Sequence, residues 1–136
     1  MKGKFFLDTN ILISLYSTEE KKQKRVLELL QNDDTSVIST QVLSEFCNIL
    51  KKKFNFNTKQ LNILLQDFEK NFLLHTTDIE QIKTALTISD RYKYSFYDAL
   101  VIAGAIHSGC TLLFSEDLQH GQTVLNKVKI TNPFRV

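Results

Sequence analysis

Residues 1–13 read MKGKFFLDTNILI. Phe5, Phe6 and Leu7 form an apolar, strand-forming run that stops at Asp8-Thr9-Asn10, and Ile11-Leu12-Ile13 then resumes it. Residues 4–7 have the character of a short buried strand, and residues 11–16 continue as a helix whose start Asp8 or Asn10 can cap. The order is strand, polar turn, helix. What three polar residues do between two apolar runs is the question that carries both fold and chemistry.

The same alternation repeats along the chain. Ser17-Thr18-Glu19-Glu20 carries a capping-box signal, with Ser17 three residues before Glu20, and Val26, Leu27, Leu29 and Leu30 supply the apolar face of the helix that follows. Asp33-Asp34-Thr35 breaks that helix, residues 36–39 read as a second short strand, and Thr40 is placed to cap a helix carrying Val42, Leu43, Phe46, Cys47 and Leu50. Asn57-Thr58 opens a further helix in which Leu61, Leu64, Leu65, Phe68 and Phe72 recur at spacings of three and four, predicting one buried stripe that belongs to the core or to a helix pair. Residues 72–74 suggest a third strand, and Asp78 begins a helix through Ile79, Ile82 and Leu86. Ser95 begins an apolar helix that ends at Gly109, a good left-handed cap. Residues 111–115 form another strand, running into Glu116-Asp117 and a polar turn that reaches Gly121, and a last weak strand lies at 127–130. Short apolar strands alternating with helices predict an α/β fold, a three-layer α/β/α sandwich around a central, mainly parallel sheet.

Bulk properties fit one such domain spanning residues 1–136, since a chain of 136 residues is close to the usual domain size. With 43% hydrophobic residues and a single proline, the composition excludes a low-complexity or disordered chain. The longest apolar stretch, residues 99–106, is too short to span a bilayer, and no basic segment followed by a long apolar one opens the chain, so a soluble, cytoplasmic protein with no membrane partner is expected. Cys47 and Cys110 both sit in apolar patterns and read as small buried side chains, not as a disulfide. A formal net charge of +2 permits nucleic-acid binding without by itself indicating it.

In parallel sheets, ligands bind outside the carboxyl ends of the strands, and Asp8 and Asp117 fall just past two of them. Glu45, on the helix after the second strand, and Asp98, in the first turn of the helix begun by Ser95, are placed to join them. Clustered carboxylates repel one another and raise each other's pKa, and a divalent cation relieves this. Oxygen donors suit Mg²⁺ or Mn²⁺, whereas the three histidines show no ligand spacing for zinc, and no catalytic role is assigned to His107 or His120. Such a cluster suits phosphodiester hydrolysis, in which an activated water attacks phosphorus in line with a departing 3′ oxygen. Taken singly, each acid also has a purely structural reading. Asp8 or Asn10 caps a helix, Asp98 completes a capping box with Ser95, Glu45 faces solvent from a helix edge, and Asp117 is a turn aspartate.

The set taken together is more specific. Asp8-Thr9-Asn10 after a first strand, Ser44-Glu45-Phe46 on a helix, SFYDALVIAGA at residues 95–105 and FSEDLQHG at residues 114–121 resemble, in order and spacing, the PIN-domain ribonucleases, and more narrowly the VapC-type toxins. The resemblance implies a PIN-like fold and a metal-dependent endoribonuclease, with Asp8, Glu45, Asp98 and Asp117 as the acidic cluster that binds Mg²⁺ or Mn²⁺. Thr9, Asn10 and Ser115 are the implied supporting polar residues, and the role of Glu116 stays open because that position varies in the family. It also implies a homodimer, a structured RNA substrate such as transfer or ribosomal RNA, and a cognate antitoxin that blocks the site. Two other readings stay open beside the toxin: a PIN nuclease of RNA processing and a catalytically silent PIN-like binding module. A receiver-type signalling domain is disfavoured, since the first strand is followed by one acid and Asp33-Asp34 precedes a strand instead of following one.

Lys51, Lys52 and Lys53 are candidate RNA-backbone contacts, as are Lys21-Lys22 and Lys24-Arg25. For residues 51–53 a favourable charge at a helix C-terminus explains the run equally well.

Overall fold

The computed structural model describes residues 3–32 and 34–135. Asp33, expected to help break a helix, lies outside the described residues. Three elements build the N-terminal third: β1 (Lys4–Leu7), α1 (Thr9–Ser14) and α2 (Glu20–Leu30). The middle comprises β2 (Thr35–Ser39), α3 (Thr40–Lys53), α4 (Thr58–Asn71), β3 (Leu73–His75) and α5 (Ile79–Tyr92). The rest is α6 (Phe96–His107), β4 (Leu112–Phe114), β5 (Thr123–Val124) and β6 (Val128–Thr131).

One sheet joins all six strands in the order β3-β2-β1-β4-β6-β5, parallel throughout except for β5 against β6. β1 is central because nothing in it needs water. Phe5, Phe6 and Leu7 point alternately to opposite faces, and all three are buried, so both faces of the sheet are covered. Phe5 meets Phe114 of β4 edge to face at 5.4 Å, and Phe6 lies under α6 beside Gly104. The expected three-layer α/β/α arrangement is the one observed. Around it, α1 packs against α2 and α3, and α5 packs against α6. The α5–α6 contact is close enough that a Cβ on Gly104 would stand 3.0 Å from Nε2 of the buried Gln81, whose amide donates to the Leu100 carbonyl.

Helix starts follow local chemistry. Asn57 and Gln60 form a reciprocal capping box on α4, Asp78 accepts from Gln81 N at the head of α5, and Ser95 accepts from Asp98 N at the head of α6. Two expected caps are corrected. Ser39, not Thr40, caps α3, because the strand ends on a side chain already turned back to Val42 N. Ser17 forms no capping box with Glu20; its Oγ accepts from Glu19 N in a tight turn, and α2 starts at Glu20 without a side-chain cap.

The stripe on α4 is shallower than its periodicity suggests. Phe68 is its one buried residue, joined edge to face to Phe46 and Phe72, while Leu61 and Leu64 are half-buried and Ile63 is exposed. Cys47 is half-buried, Cys110 is buried and both are free thiols. β5 is not anticipated by the sequence: Leu125 and Asn126 both take positive φ in the three-residue turn, 125–127, that sends the chain into β6. No helix among the described residues is long and apolar enough to cross a membrane.

Candidate active site

The chain leaves β1 towards β2 on one side, while β4 lies on the other, so the strand order reverses between β1 and β4 and leaves a crevice at their carboxyl ends. Leu7 is in register with Phe114, and Asp8 N extends the ladder by donating to the Phe114 carbonyl at 3.0 Å. The next residue on each strand is therefore thrown into the crevice beside its neighbour: Ser115 Oγ donates to Asp8 Oδ2 at 2.8 Å.

Asp8 serves two masters there. Its Oδ1 accepts from Thr9 N at 2.7 Å and caps α1, while Oδ2 also accepts from Asn10 Nδ2 at 3.2 Å. Asn10 then links the strand ends. Its amide donates to Asp117 Oδ2 at 3.0 Å and its carbonyl accepts from Glu116 N at 3.2 Å, while Ser115 Oγ accepts from Asp117 N at 3.2 Å. Thr9 reaches the other way, donating from Oγ1 to Glu45 Oε2 at 2.7 Å. One turn earlier on α3, Gln41 donates to Glu45 Oε1 at 3.2 Å and to the Tyr97 carbonyl at 3.3 Å. The polar triplet of the opening stretch thus supplies a carboxylate, a link to α3 and a link to the loop after β4.

Asp8, Glu45, Asp98 and Asp117 all line one cleft of about 390 Å³. Asp8 is only 8% exposed, Glu45 is half-buried, and Asp98 and Asp117 stand at the open side. Burial pushes the Asp8 carboxyl up to about 6, the charges of Glu45 and Asp117 push in the same direction, and the hydrogen bonds from Ser115 and Thr9 resist it. The Asp98 carboxylate accepts no hydrogen bond among the described residues. Of the basic residues proposed from sequence, Lys22 and Lys53 line the cleft, whereas Lys21, Lys24, Arg25, Lys51 and Lys52 do not.

One residue that braces these acids, Gln41, was not singled out by sequence, and the Lys22–Glu116 pairing was not anticipated either. Gln41 sits four residues before Glu45 on the same helix face, the spacing that could have flagged it. Lys22 lines the cleft from α2 and is bound to Glu116 at 2.8 Å, a pairing across 94 residues that no local pattern announces. It thereby neutralises Glu116, which lines the same cleft as the other acids.

The donor set is all carboxylate, hydroxyl and amide oxygen, as hard divalent cations require. Among the described residues no three His, Cys, Asp or Glu side chains are drawn tightly enough to form a closed cage. An open, partly solvated arrangement of this kind fits Mg²⁺, which keeps several of its waters and takes few carboxylates directly.

A family model described as the PIN domain matches residues 5–124. The chain belongs to the PIN domain family. The match runs from β1 to β5 and takes in every residue of the acid cleft. Among solved structures, this PIN domain is similar to a toxin-antitoxin complex from Klebsiella pneumoniae, with a TM-score of 0.72 and 19% identity over 96% of this chain and 98% of that one. It is also similar to VapBC2 from Rickettsia felis bound to a promoter DNA fragment, with a TM-score of 0.68 and 20% identity over 95% and 98%. A third is VapC20 of Mycobacterium tuberculosis, described as a Sarcin-Ricin loop cleaving toxin, with a TM-score of 0.66 and 18% identity over 83% and 91%. At these identities the likeness is one of fold. Comparison with curated proteins gave no significant match.

Proposed function

We propose that this PIN domain is a divalent-metal-dependent endoribonuclease that hydrolyses RNA phosphodiester bonds, and that it is the toxin of a toxin-antitoxin pair. The observation that carries the reading is the gathering of four carboxylates from four separate elements into one cleft at the carboxyl ends of β1 and β4, with burial and its neighbours holding the innermost of them, Asp8, above the usual carboxylate range. Capping α1 explains Asp8 alone, whereas gathering all four acids costs the fold stability and serves a cation-binding site.

Asp8, Glu45, Asp98 and Asp117 are the residues assigned to hold Mg²⁺ or Mn²⁺. A divalent cation there supplies Lewis-acid charge, lowering the pKa of an attacking water and stabilising negative charge on phosphate and leaving oxygen. The chain's own contribution is orientation. Three donors fix the Asp8 carboxylate, and Thr9 and Gln41 fix that of Glu45, so these two are held in place before any ligand arrives. Asp98 and Asp117 complete the site from its solvent side. Ser115 and Asn10 each contact both Asp8 and the loop that bears Asp117, and so set the spacing between the inner and outer acids.

Transfer or ribosomal RNA is the proposed substrate class, with the protein acting as a homodimer silenced by a cognate antitoxin. Support for the toxin assignment comes from the structural relatives, of which one is a toxin-antitoxin complex and another a toxin that cleaves the Sarcin-Ricin loop. The test is cleavage of end-labelled total cellular RNA by the purified protein in Mg²⁺, Mn²⁺ or EDTA, beside Asp8→Asn and Asp98→Asn. Discrete metal-dependent fragments that both variants fail to make are expected. Absence of cleavage in every condition, together with no measurable metal affinity, would overturn the assignment.

A further inference from the structure

α2 carries its charges in an order that its own dipole disfavours. Its sequence EKKQKRVLELL sets Lys21, Lys22, Lys24 and Arg25 in the N-terminal half, and no basic residue occupies its last turn. The N-terminus of a helix is its positive end, so cations there gain nothing from the helix and cations at the C-terminus do. α3 shows the favourable order, with Lys51, Lys52 and Lys53 in its last turn. The lysines of α3 therefore have a local structural cause and those of α2 do not.

The cations of α2 are only partly neutralised. Lys22 pairs with Glu116 at 2.8 Å and more distantly with Glu19 at 3.9 Å, and Arg25 meets Glu28 at 3.5 Å. Among the described residues Lys21 has no carboxylate in ion-pair range. Arg25 also donates from Nε to the Pro133 carbonyl at 2.9 Å, which draws the C-terminal segment against α2. Phe134 is held in that segment by its own N–H to Asn132 Oδ1 at 3.0 Å; it is half-buried against the core, and Lys22 Nζ sits over its ring, 5.1 Å from the centre.

Between α2 and this segment lies a second cavity, of about 510 Å³, with Pro133 and Phe134 in its wall and Lys21, Lys22, Arg25 and Arg135 around it. Glu19 is the one acid there, and it faces Lys22. Lys22 and Glu19 line this cavity and the acid cleft alike, so the two adjoin. An aromatic wall surrounded by four cations is matched by a base with its phosphates: the ring offers a stacking face of any sequence, and the cations meet the backbone. A free inorganic anion has no use for the ring, and an apolar peptide has none for the cations.

We infer that the cavity between α2 and residues 133–135 is a nucleotide subsite for single-stranded RNA, seating a nucleotide that flanks the phosphate held at the acid cleft. The inference rests on the RNA reading of that cleft and extends it to the path of the strand. Phe134 stacks a base, Lys21, Arg25 and Arg135 contact phosphates, and Lys22 spans the junction as a positioning residue tied to Glu116.

Binding of a fluorescein-labelled, short single-stranded RNA of randomised sequence, followed by anisotropy in EDTA across a salt series, tests it without cleavage. The protein carries Asp98→Asn so that residual metal cannot cut the probe. Phe134→Ala is expected to weaken binding by roughly tenfold or more, from the usual loss when a stacking aromatic is removed, and Phe134→Leu to weaken it less. Lys21→Gln and Arg135→Gln are each expected to lower the slope of log affinity against log salt by about 0.7, the share of one phosphate contact on a single strand. Circular dichroism checks folding, and the two charge substitutions carry the test if Phe134→Ala does not fold. Unchanged affinity and salt slope in all four variants would overturn the subsite, as would binding of RNA by none of the proteins. Loss confined to an acidic peptide probe, with RNA binding intact, would assign the cavity to a protein partner instead. Failure of the two readings is separable: RNA bound through Phe134 but never cut by the parent protein sinks the nuclease alone, and metal-dependent cutting indifferent to these variants sinks the subsite alone.

Discussion

Replacing Asp8 by asparagine should make the metal-free protein more stable at neutral pH. Burial and the neighbouring acids lift the Asp8 pKa from 3.8 to about 6. For an acid raised in this way the native state binds more protons than the unfolded one, so stability falls as pH rises from about 4 to about 7 and is level above that. Roughly two pKa units correspond to about 3 kcal/mol lost at pH 7.5, and to about half of that at pH 5. Asparagine caps a helix as well as aspartate does, so the bond to Thr9 N survives, but its Nδ2 would face both the Asn10 amide and the Ser115 hydroxyl and forfeit two hydrogen bonds, at about 1 kcal/mol each. The expected net gain is about 1 kcal/mol at pH 7.5, turning to a loss of about 0.5 kcal/mol at pH 5, which for a chain of this size raises Tm by about 3 °C at the higher pH. Thermal unfolding by circular dichroism in EDTA at the two pH values measures this. Saturating Mg²⁺ should then close or reverse the gap, since a cation at a hundred times its Kd adds about 2.7 kcal/mol to the wild type alone. A variant less stable than wild type in EDTA at pH 7.5, or a gap indifferent to pH, would refute the reasoning.

Thr9→Val removes the hydroxyl that orients Glu45 while keeping the shape; it should cost about 1–2 kcal/mol and lower RNA cleavage at least tenfold with helical content unchanged, read by denaturant unfolding and single-turnover cleavage. Lys51→Gln with Lys52→Gln should leave RNA affinity unaltered, whereas Lys53→Gln, at the cleft wall, should weaken it and flatten its salt dependence in a filter-binding titration. Gly104→Val forces a branched side chain against Gln81 Nε2 and should destabilise by about 2 kcal/mol or more, visible as a lower urea midpoint at constant slope.

The elements that sequence reveals are those whose cause is local. β1 falls on its expected residues because an unbroken apolar run must be buried on both faces, and α4, α5 and α6 start where Asn57, Asp78 and Ser95 present a side-chain oxygen to the first turn. Ser17 has the same local signal and fails, because its hydroxyl is taken by Glu19 N, one residue short of Glu20. β5 is illegible for a different reason: a two-residue strand exists only by pairing with β6, and its turn places Leu125 at positive φ, a residue that no turn rule would nominate. The four acids were legible from their places after strands and in first turns. The contacts that brace the site were less so, since Gln41 reaches Glu45 and Tyr97, and Lys22 reaches Glu116, only once the chain is folded.

That division also separates the acids by what each can tolerate. Asp8 and Glu45 are held by hydrogen bonds from Thr9, Asn10, Gln41 and Ser115, so a conservative change at either disturbs a network that spans β1, α3 and β4. Asp98 donates only its backbone N–H to a cap, and its exposed carboxylate accepts nothing from the described residues. Asp98→Asn should therefore leave Tm in EDTA within about 2 °C of wild type, in contrast to the gain expected at Asp8, because the backbone bond to Ser95 survives and only an exposed first-turn charge is lost, at about 0.5 kcal/mol. The discriminating measurement is the Mg²⁺-induced rise in Tm, which Asp98→Asn should diminish without altering the EDTA baseline. A full Mg²⁺ response in that variant would remove Asp98 from the ligand set, and the cation would then be held by the tethered inner pair and Asp117.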